Sequence, residues 1–484
     1  MTGCDASVVS SVVSFLNRIN GVDLGIMKKA IAIIVLGLLL SNITFADSKF
    51  KYDPVFKNSL VYFNQWLYDN GHHQYLNLDT GVVWKNFSGV DKIYDKFTGT
   101  NNLNIKGYKG RWTIPFKASP NRDTLIYYLY KYLYSHETGD KNTKQWGRYE
   151  IQPSKSPYEF KSDLREDKFV KKQMQKKALL SYLLFEDDKI VIDEITPKDK
   201  FGEFVDNSTK LRAMSMGKSL VSYVAGHAIC AGYIDSVESK IDDWPLLKDT
   251  LYDGQKLIDI LNMRAGDHKY VYNSVFWDGN EADVELFGVN MRKMRGKKKS
   301  KPKYNYNVVN TNLIFNYILF KSGDNFEKLL NDVFQKKVRI KNSVYFHKFI
   351  HKHMNESRSR SLGDANAMFF ATRYDYLRIS KSIMDDWQND TCVGKYLKTI
   401  YESRVHKTGR PKDEKDSWTN PTGYAGQFHT NYSGMKKRAV MGMDGYGGQH
   451  IIIDFDRSRI VVINSMHLNY NWNKIAHSVI KKGK

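Results

Sequence analysis

Ser215 and Lys218 are the two residues of this chain whose types and spacing point most directly to chemistry. They stand in Ser215-Met216-Gly217-Lys218, followed by an apolar stretch from Leu220 to Ile229. Residues three apart share a face of a helix, so the lysine amine can sit beside the serine hydroxyl. A serine hydroxyl at neutral pH is a poor nucleophile and needs a base next to it. A lysine can be that base where burial and positive neighbours lower its pKa, and the positive end of a helix pushes the same way. The pair reads as nucleophile and base for acyl transfer, with Ser215 attacking and Lys218 taking its proton.

Spacing alone does not single out this copy. Ser-x-x-Lys recurs at Ser48/Lys51, Ser300/Lys303, Ser433/Lys436 and Ser478/Lys481, as expected by chance in a lysine-rich chain. Context separates Ser215, because only its copy opens a long apolar helix. The Ser300 copy lies in a charge run and the Ser478 copy in a polar tail.

The elements that must position the pair are legible on both sides of it. Asp167 to Lys177 reads as a basic helix. Leu179 to Phe185, a Glu186-Asp187-Asp188 turn and Lys189 to Glu194 read as a hairpin. The C-terminal end repeats the pattern: Gln449 to Phe455, an Asp456-Arg457-Ser458 turn, Ile460 to Ser465, then a closing helix from about Trp472. Hairpins at both ends with a mostly helical middle, Leu257 to Trp387, imply an α+β fold with one antiparallel sheet flanked by helices. Three regions follow: residues 1–46, an upstream extension and signal peptide; 47–165, an accessory or wrapping region with expected helices at Asn58 to Tyr68 and Asp123 to Tyr134; and 166–484, the domain that carries the site.

The chain of 484 residues is 42% hydrophobic, enough to bury a large core. Met27-Lys28-Lys29, the apolar Ile31 to Leu40 and Thr44-Phe45-Ala46 form a secretory leader, with Met27 as the start and a periplasmic or secreted product. No cysteine stands near that cleavage site, which argues against a lipid anchor. No apolar run reaches the roughly 18 residues of a membrane span. Beyond the leader only Cys230 and Cys392 remain, too few for a disulfide framework, with Cys230 expected in the core. No zinc spacing and no other cofactor motif is present. The net charge is +22, and its densest run, Arg292 to Lys303, has eight basic residues and no acid. Without aromatic interleaving this reads as a solvated loop rather than a nucleic-acid surface, with an anionic cell-wall polymer as a candidate partner.

Five segments in order resemble the serine β-lactamase-like hydrolases, over roughly residues 170–480. Arg212 to Ser219 resembles the nucleophile segment. Lys256 to Gly266 resembles the helix that usually ends in Ser-Gly, with Ala265 in place of the serine. Tyr304-Asn305-Tyr306-Asn307-Val308-Val309-Asn310-Thr311 resembles the second motif. Ala365 to Arg378 resembles a helix with Thr-x-x-Asp at Thr372 and Asp375. Gly445-Tyr446-Gly447-Gly448-Gln449 resembles the third motif, on the strand that lines the site. The resemblance implies that Tyr306 relays a proton to the leaving group, its phenolate favoured by Lys218. It implies that Tyr446, Gly447 and Gly448 flank the substrate, and that the amides of Ser215 and Gln449 bind the oxyanion. Val308 and Tyr446 replace the asparagine and the cation with which relatives bind the carboxylate of β-lactams, which argues against antibiotic hydrolysis. The form is closer to 6-aminohexanoate-dimer hydrolase and the β-lactamase-fold esterases, acting on an amide or ester. The alternatives are a DD-peptidase-like enzyme or a cell-wall polymer-binding protein that has kept the fold and lost turnover. A literal Lys407-Thr408-Gly409 is set aside because Pro411 follows instead of a strand. His347, His351 and His353 read as a basic surface helix, and His227 as a core histidine with its hydrogen bonds satisfied.

Overall fold

Leu179 to Phe185 is apolar at almost every position, a pattern that suits a strand covered on both faces. The computed structural model makes it β3 (Leu179–Glu186), buried along its length except at Glu186. The structure describes Leu129, Tyr132 and residues 144–482 apart from 203, 283–284, 352–353 and 409–420. The expected leader and the helix at Asn58 to Tyr68 lie outside these residues, and of Asp123 to Tyr134 only Leu129 and Tyr132, both helical, lie within them.

In chain order the strands are β1 (Lys144–Ile151), β2 (Lys161–Ser162), β3, β4 (Lys189–Ile195), β5 (Leu211–Arg212), β6 (Lys240–Ile241), β7 (Gln255–Lys256), β8 (Val271–Tyr272) and β9 (Val275–Phe276). They continue as β10 (Val344–His351), β11 (Ala365–Ala371), β12 (Val405–His406), β13 (Gly423–Ala425), β14 (Phe428–Thr430), β15 (Val440–Gly445), β16 (Gln449–Asp454) and β17 (Arg459–Ser465). The helices are α1 (Lys168–Lys176), α2 (Met216–Cys230), α3 (Leu257–Leu261), α4 (Phe287–Met294), α5 (Val308–Ser322), α6 (Phe326–Asn331), α7 (Glu356–Ser361), α8 (Arg373–Gln388), α9 (Cys392–Glu402) and α10 (Ser478–Lys482).

The two hairpins meet in one sheet. Its order is β12-β13-β14-β15-β16-β17-β3-β4-β2, and β17 pairs antiparallel with β3 through Val462↔Leu183. Asp187 and Asp188 both have positive φ, 48° and 58°, as a tight hairpin turn requires. One face packs on α1 and the C-terminal helix, where Val170, Met174, Tyr182, Leu184, Ile463, Trp472 and Ile480 share a core. The other face meets α8, whose start is fixed by Thr372 accepting from the Asp375 amide.

Helices dominate the middle, as expected, but two of its strands, β10 and β11, join a further sheet. A second, four-stranded sheet runs β1-β10-β11-β5. Ala365 to Ala371, expected as the start of a helix, is strand β11, and the helix begins only after Thr372. His347, expected on a surface helix, lies buried on strand β10. The apolar alternation of these short strands is masked by the strong capping signal that follows them.

Helix α2 is buried on nearly all sides. At Gly217 a Cβ would come within 1.9 Å of the Ala367 carbonyl of β11. At Gly226 one would come within 2.5 Å of the Tyr396 ring of α9. Glycine lets the helix meet the β11 backbone at the first position and seat the Tyr396 ring at the second.

The cysteines depart from expectation. Cys230, at the end of α2, is half-buried and bonded to Cys392, the first residue of α9, with 5.9 Å between Cα atoms. An even count beyond the leader was the sequence signal for this bond. It closes a separation of 162 residues. Reduction should lower stability by about 2–5 kcal/mol, read as a lower urea midpoint. An unchanged midpoint after full reduction would show that α2–α9 packing alone holds this end.

Candidate active site

The site begins at the turn between β5 and α2. Met214 holds φ +51°, a strained value for a residue with a side chain, costing about 1–3 kcal/mol. The next amides close tightly: Met216 N donates to Ala213 O at 3.1 Å and Gly217 N to Met214 O at 3.1 Å. Ser215 sits at the N-cap with φ −70° and makes no capping bond, so its hydroxyl is not spent on the helix. Lys218 is buried one turn further in, its Nζ 3.5 Å from Ser215 Oγ. The same amine lies 5.1 Å from the centre of the Tyr306 ring. Ser215 lies near enough to Tyr306 to act on the phenol's titration. The structure thus brings together Ser215, Lys218 and Tyr306.

Tyr306 is not a resting phenolate. Burial pushes its pKa well above the ordinary value, Ser215 pulls it back, and the nearby Asp444 charge raises it again. At neutral pH it carries its proton, which suits a donor to a leaving group. The phenolate expected beside Lys218 is therefore not the resting form, because burial keeps the proton on the phenol.

A buried carboxylate that sequence reading missed holds Tyr306 in place. Asn305 Nδ2 donates to Asp267 Oδ1 at 2.8 Å, and Asn307 Nδ2 to Asp267 Oδ2 at 3.0 Å. Tyr252 donates its hydroxyl to the same carboxylate at 2.9 Å. Residues two apart in extended chain point the same way, so Asn305 and Asn307 turn to Asp267 while Tyr306 turns oppositely. Asn307 also caps α5 by accepting from Asn310 N at 2.9 Å. The Asn-Tyr-Asn alternation was the available signal. Gln427 is a second such hub: its backbone carbonyl accepts from Ser219 Oγ and its side chain from Thr311 Oγ1, each at 2.7 Å.

The third motif is a turn rather than a stretch of strand. Tyr446, Gly447 and Gly448 connect β15 to β16, with φ +87° and +90° at the two glycines. The close approach is at Gly445 instead, where a Cβ would lie 2.5 Å from the Ala213 carbonyl in the nucleophile turn. Gln449 opens β16 opposite Gly445 and is buried. Its side chain donates to the Ser465 carbonyl and accepts from the Ser465 amide at 3.3 Å, tying β16 to β17.

Lys407, set aside on sequence grounds, is buried beside the site. Its Nζ lies 2.5 Å from His429 Nδ1. His429 Nε2 is 3.8 Å from Asp444, whose other oxygen meets His450 Nδ1 at 2.9 Å. The His429 ring is 6.4 Å from that of Tyr306. The wall therefore contains basic side chains one strand (His429, on β14) and three strands (Lys407, after β12) outward from β15, which a linear motif does not reveal. Burial pushes the Asp444 pKa up, but the charges of His429, His450 and Lys407 and the His450 bond bring it below the ordinary value.

His227 packs in the core but not as expected. It stacks edge-on against Tyr223 at 4.7 Å, its Nε2 is buried without a hydrogen-bond partner, and burial lowers its pKa to about 4. Among the described residues no three His, Cys, Asp or Glu side chains converge as a metal site requires. Among them also, no helix is long and apolar enough to cross a membrane.

An antiparallel sheet, a layer of helices and a buried helix between them make up the serine β-lactamase-like fold, and this chain has it. A solved structure described as a 6-aminohexanoate-dimer hydrolase from Bacillus anthracis superposes with a TM-score of 0.52 at 14% identity, covering 75% of this chain and 96% of that one. FmtA from Staphylococcus aureus gives 0.45 at 14% identity, over 68% and 94%. A class C β-lactamase bound to cefoxitin gives 0.44 at 12%, over 65% and 95%. No family model and no curated protein matches the chain.

Asp444→Asn should cost about 3–5 kcal/mol at pH 7, as expected when a buried charge cluster loses its anion. Folding depresses the Asp444 pKa, so its contribution is present above the unfolded-state value and lost as pH falls through the folded one. The stability gap between variant and parent should therefore narrow below about pH 4. A gap that stays constant down to pH 3 in urea unfolding would show that the residue acts through packing alone.

Proposed function

We propose that this chain is an exported serine hydrolase that cleaves an ester or amide through a covalent acyl-enzyme on Ser215. The observation that carries the reading is the convergence of a Ser215 hydroxyl not used as a helix cap, the buried Lys218 amine at 3.5 Å from it, and the Tyr306 ring 5.1 Å from that amine. Ser215 Oγ attacks the carbonyl carbon while its proton passes to Lys218 Nζ. Tyr306 gives its proton to the leaving nitrogen or oxygen as that bond breaks, and recovers one from Lys218. Water then releases the acid by the reverse proton path. The Ser215 amide, at the positive end of α2, stabilises the oxyanion together with the Gln449 amide at the start of β16. The Cys230–Cys392 bond supports an oxidising compartment, in keeping with the leader.

The test is turnover of p-nitrophenyl esters by the mature chain. Ser215→Ala and Lys218→Met should each lower kcat by about 10³-fold or more, and Tyr306→Phe by about 10²-fold. All three should remain folded, and penicillin and cephalosporin turnover should be slow. Undiminished hydrolysis by Ser215→Ala would remove the reading, and fast cephalosporin turnover would move the chain to the β-lactamase branch.

A further inference from the structure

The basic run does not simply project into solvent. Its first lysine, Lys293, pairs with Glu285 at 3.7 Å and Asp278 at 4.0 Å. Lys297 lies over the rings of Trp277 and Tyr270, at 4.9 and 5.8 Å. The remaining lysines are exposed and border an open surface pocket of about 520 Å³ lined by His268, Lys269, Lys298, Lys299, Lys301 and Lys303. Among the described residues no carboxylate pairs with any of these five ammonium groups. His268 Nδ1 is buried there without a hydrogen-bond partner.

The loop is pinned in this arrangement. Ser300 N donates to Gly266 O at 2.9 Å, and Tyr270 donates its hydroxyl to Lys298 O at 3.2 Å. Gly266 holds φ +73°, and a Cβ there would lie 2.3 Å from Ser300 O, so only glycine admits the contact. Like charges set around one pocket repel, and an anion of high charge relieves that repulsion. Burial lowers the His268 pKa, and the Lys303 and Lys269 charges lower it further, so the positive field reaches into the pocket.

The pocket adjoins the catalytic segment. Lys303 precedes Tyr306 by three residues, at most about 11 Å of extended chain. His268 follows Asp267, the carboxylate that holds Asn305 and Asn307 on either side of Tyr306. We propose that this pocket binds a phosphate group carried by the substrate beyond the bond that is cut. Lysine suits phosphate as a point charge, and five of them match a multiply charged group better than a single carboxylate. That the phosphate belongs to a substrate rests on the hydrolase reading; that it binds here does not.

Binding is measured by calorimetry on the mature Ser215→Ala protein with tripolyphosphate, at 50 and 200 mM salt. The parent should bind, more weakly at high salt. The triple variant Lys299→Ala/Lys301→Ala/Lys303→Ala should bind at least 10-fold more weakly. A control lacking Lys171, Lys328 and Lys336, exposed lysines elsewhere, should bind like the parent. Equal losses in the two triple variants, or citrate binding as tightly as tripolyphosphate, would overturn the proposal. A second readout needs no lysine variant. The His268 pKa, followed by NMR and assigned with His268→Gln, should rise on saturation with tripolyphosphate, and no rise would overturn the proposal. Kinetics separate the two readings. With active protein, the pocket variant should lose at least 10-fold in kcat/KM on acetylglycerol phosphate and keep its rate on p-nitrophenyl acetate. Absence of all ester turnover would strike the hydrolase reading while leaving the binding result to stand or fall by itself.

Discussion

The site depends on one constraint, the contact of the Ala213–Lys218 backbone with a strand of each sheet. On one side Gly217 touches the Ala367 carbonyl of β11, and on the other Gly445 touches the Ala213 carbonyl. A side chain at either glycine would force the layers apart. With the turn fixed from both sides, Met214 is held at positive φ and Ser215 faces Lys218 and Tyr306 instead of capping its own helix. The strain at Met214 is sustained because its neighbours over-determine its place.

Tyr306 is fixed by a different device. Asp267 is fully buried and its pKa is raised, chiefly by desolvation, against the hydrogen bonds of Asn305, Tyr252 and Asn307. A buried carboxylate is tolerable only when its lone pairs are filled, and here three side-chain donors fill them. The same short segment, Gly266 to Tyr270, anchors the lysine loop. Tyr306 and the basic pocket therefore share one scaffold. The Lys407–His429–Asp444–His450 cluster stands beyond Tyr306 and adds negative charge near it through Asp444.

Elements whose signal is local could be read from the sequence. The helix at Ser215 and the hairpins at both ends follow from apolar runs and turn residues, and β3, β4, β16 and β17 fall where those runs do. The second sheet was hidden because β1 pairs with β10 nearly 200 residues away, and because the cap at Thr372 made Ala365–Ala371 look like part of the helix. Of the site, Ser215, Lys218 and Tyr306 lie together as the motifs suggest. Lys407 was passed over because its importance comes from reaching His429 across strands. Asp267 was passed over because one aspartate in a loop looks like any other until its partners are seen. The third motif misled in detail, since glycines serve a turn as readily as a close approach to a ligand.

The central claim is that Ser215 carries an acyl group during turnover. The most direct measurement is acid quenching of the mature protein in the first turnover of a p-nitrophenyl ester, followed by mass analysis of its peptides. The account predicts a burst of p-nitrophenol together with one acyl mass increment, confined to the peptide that contains Ser215. Turnover with no increment on that peptide, or with the increment on another residue, would contradict it.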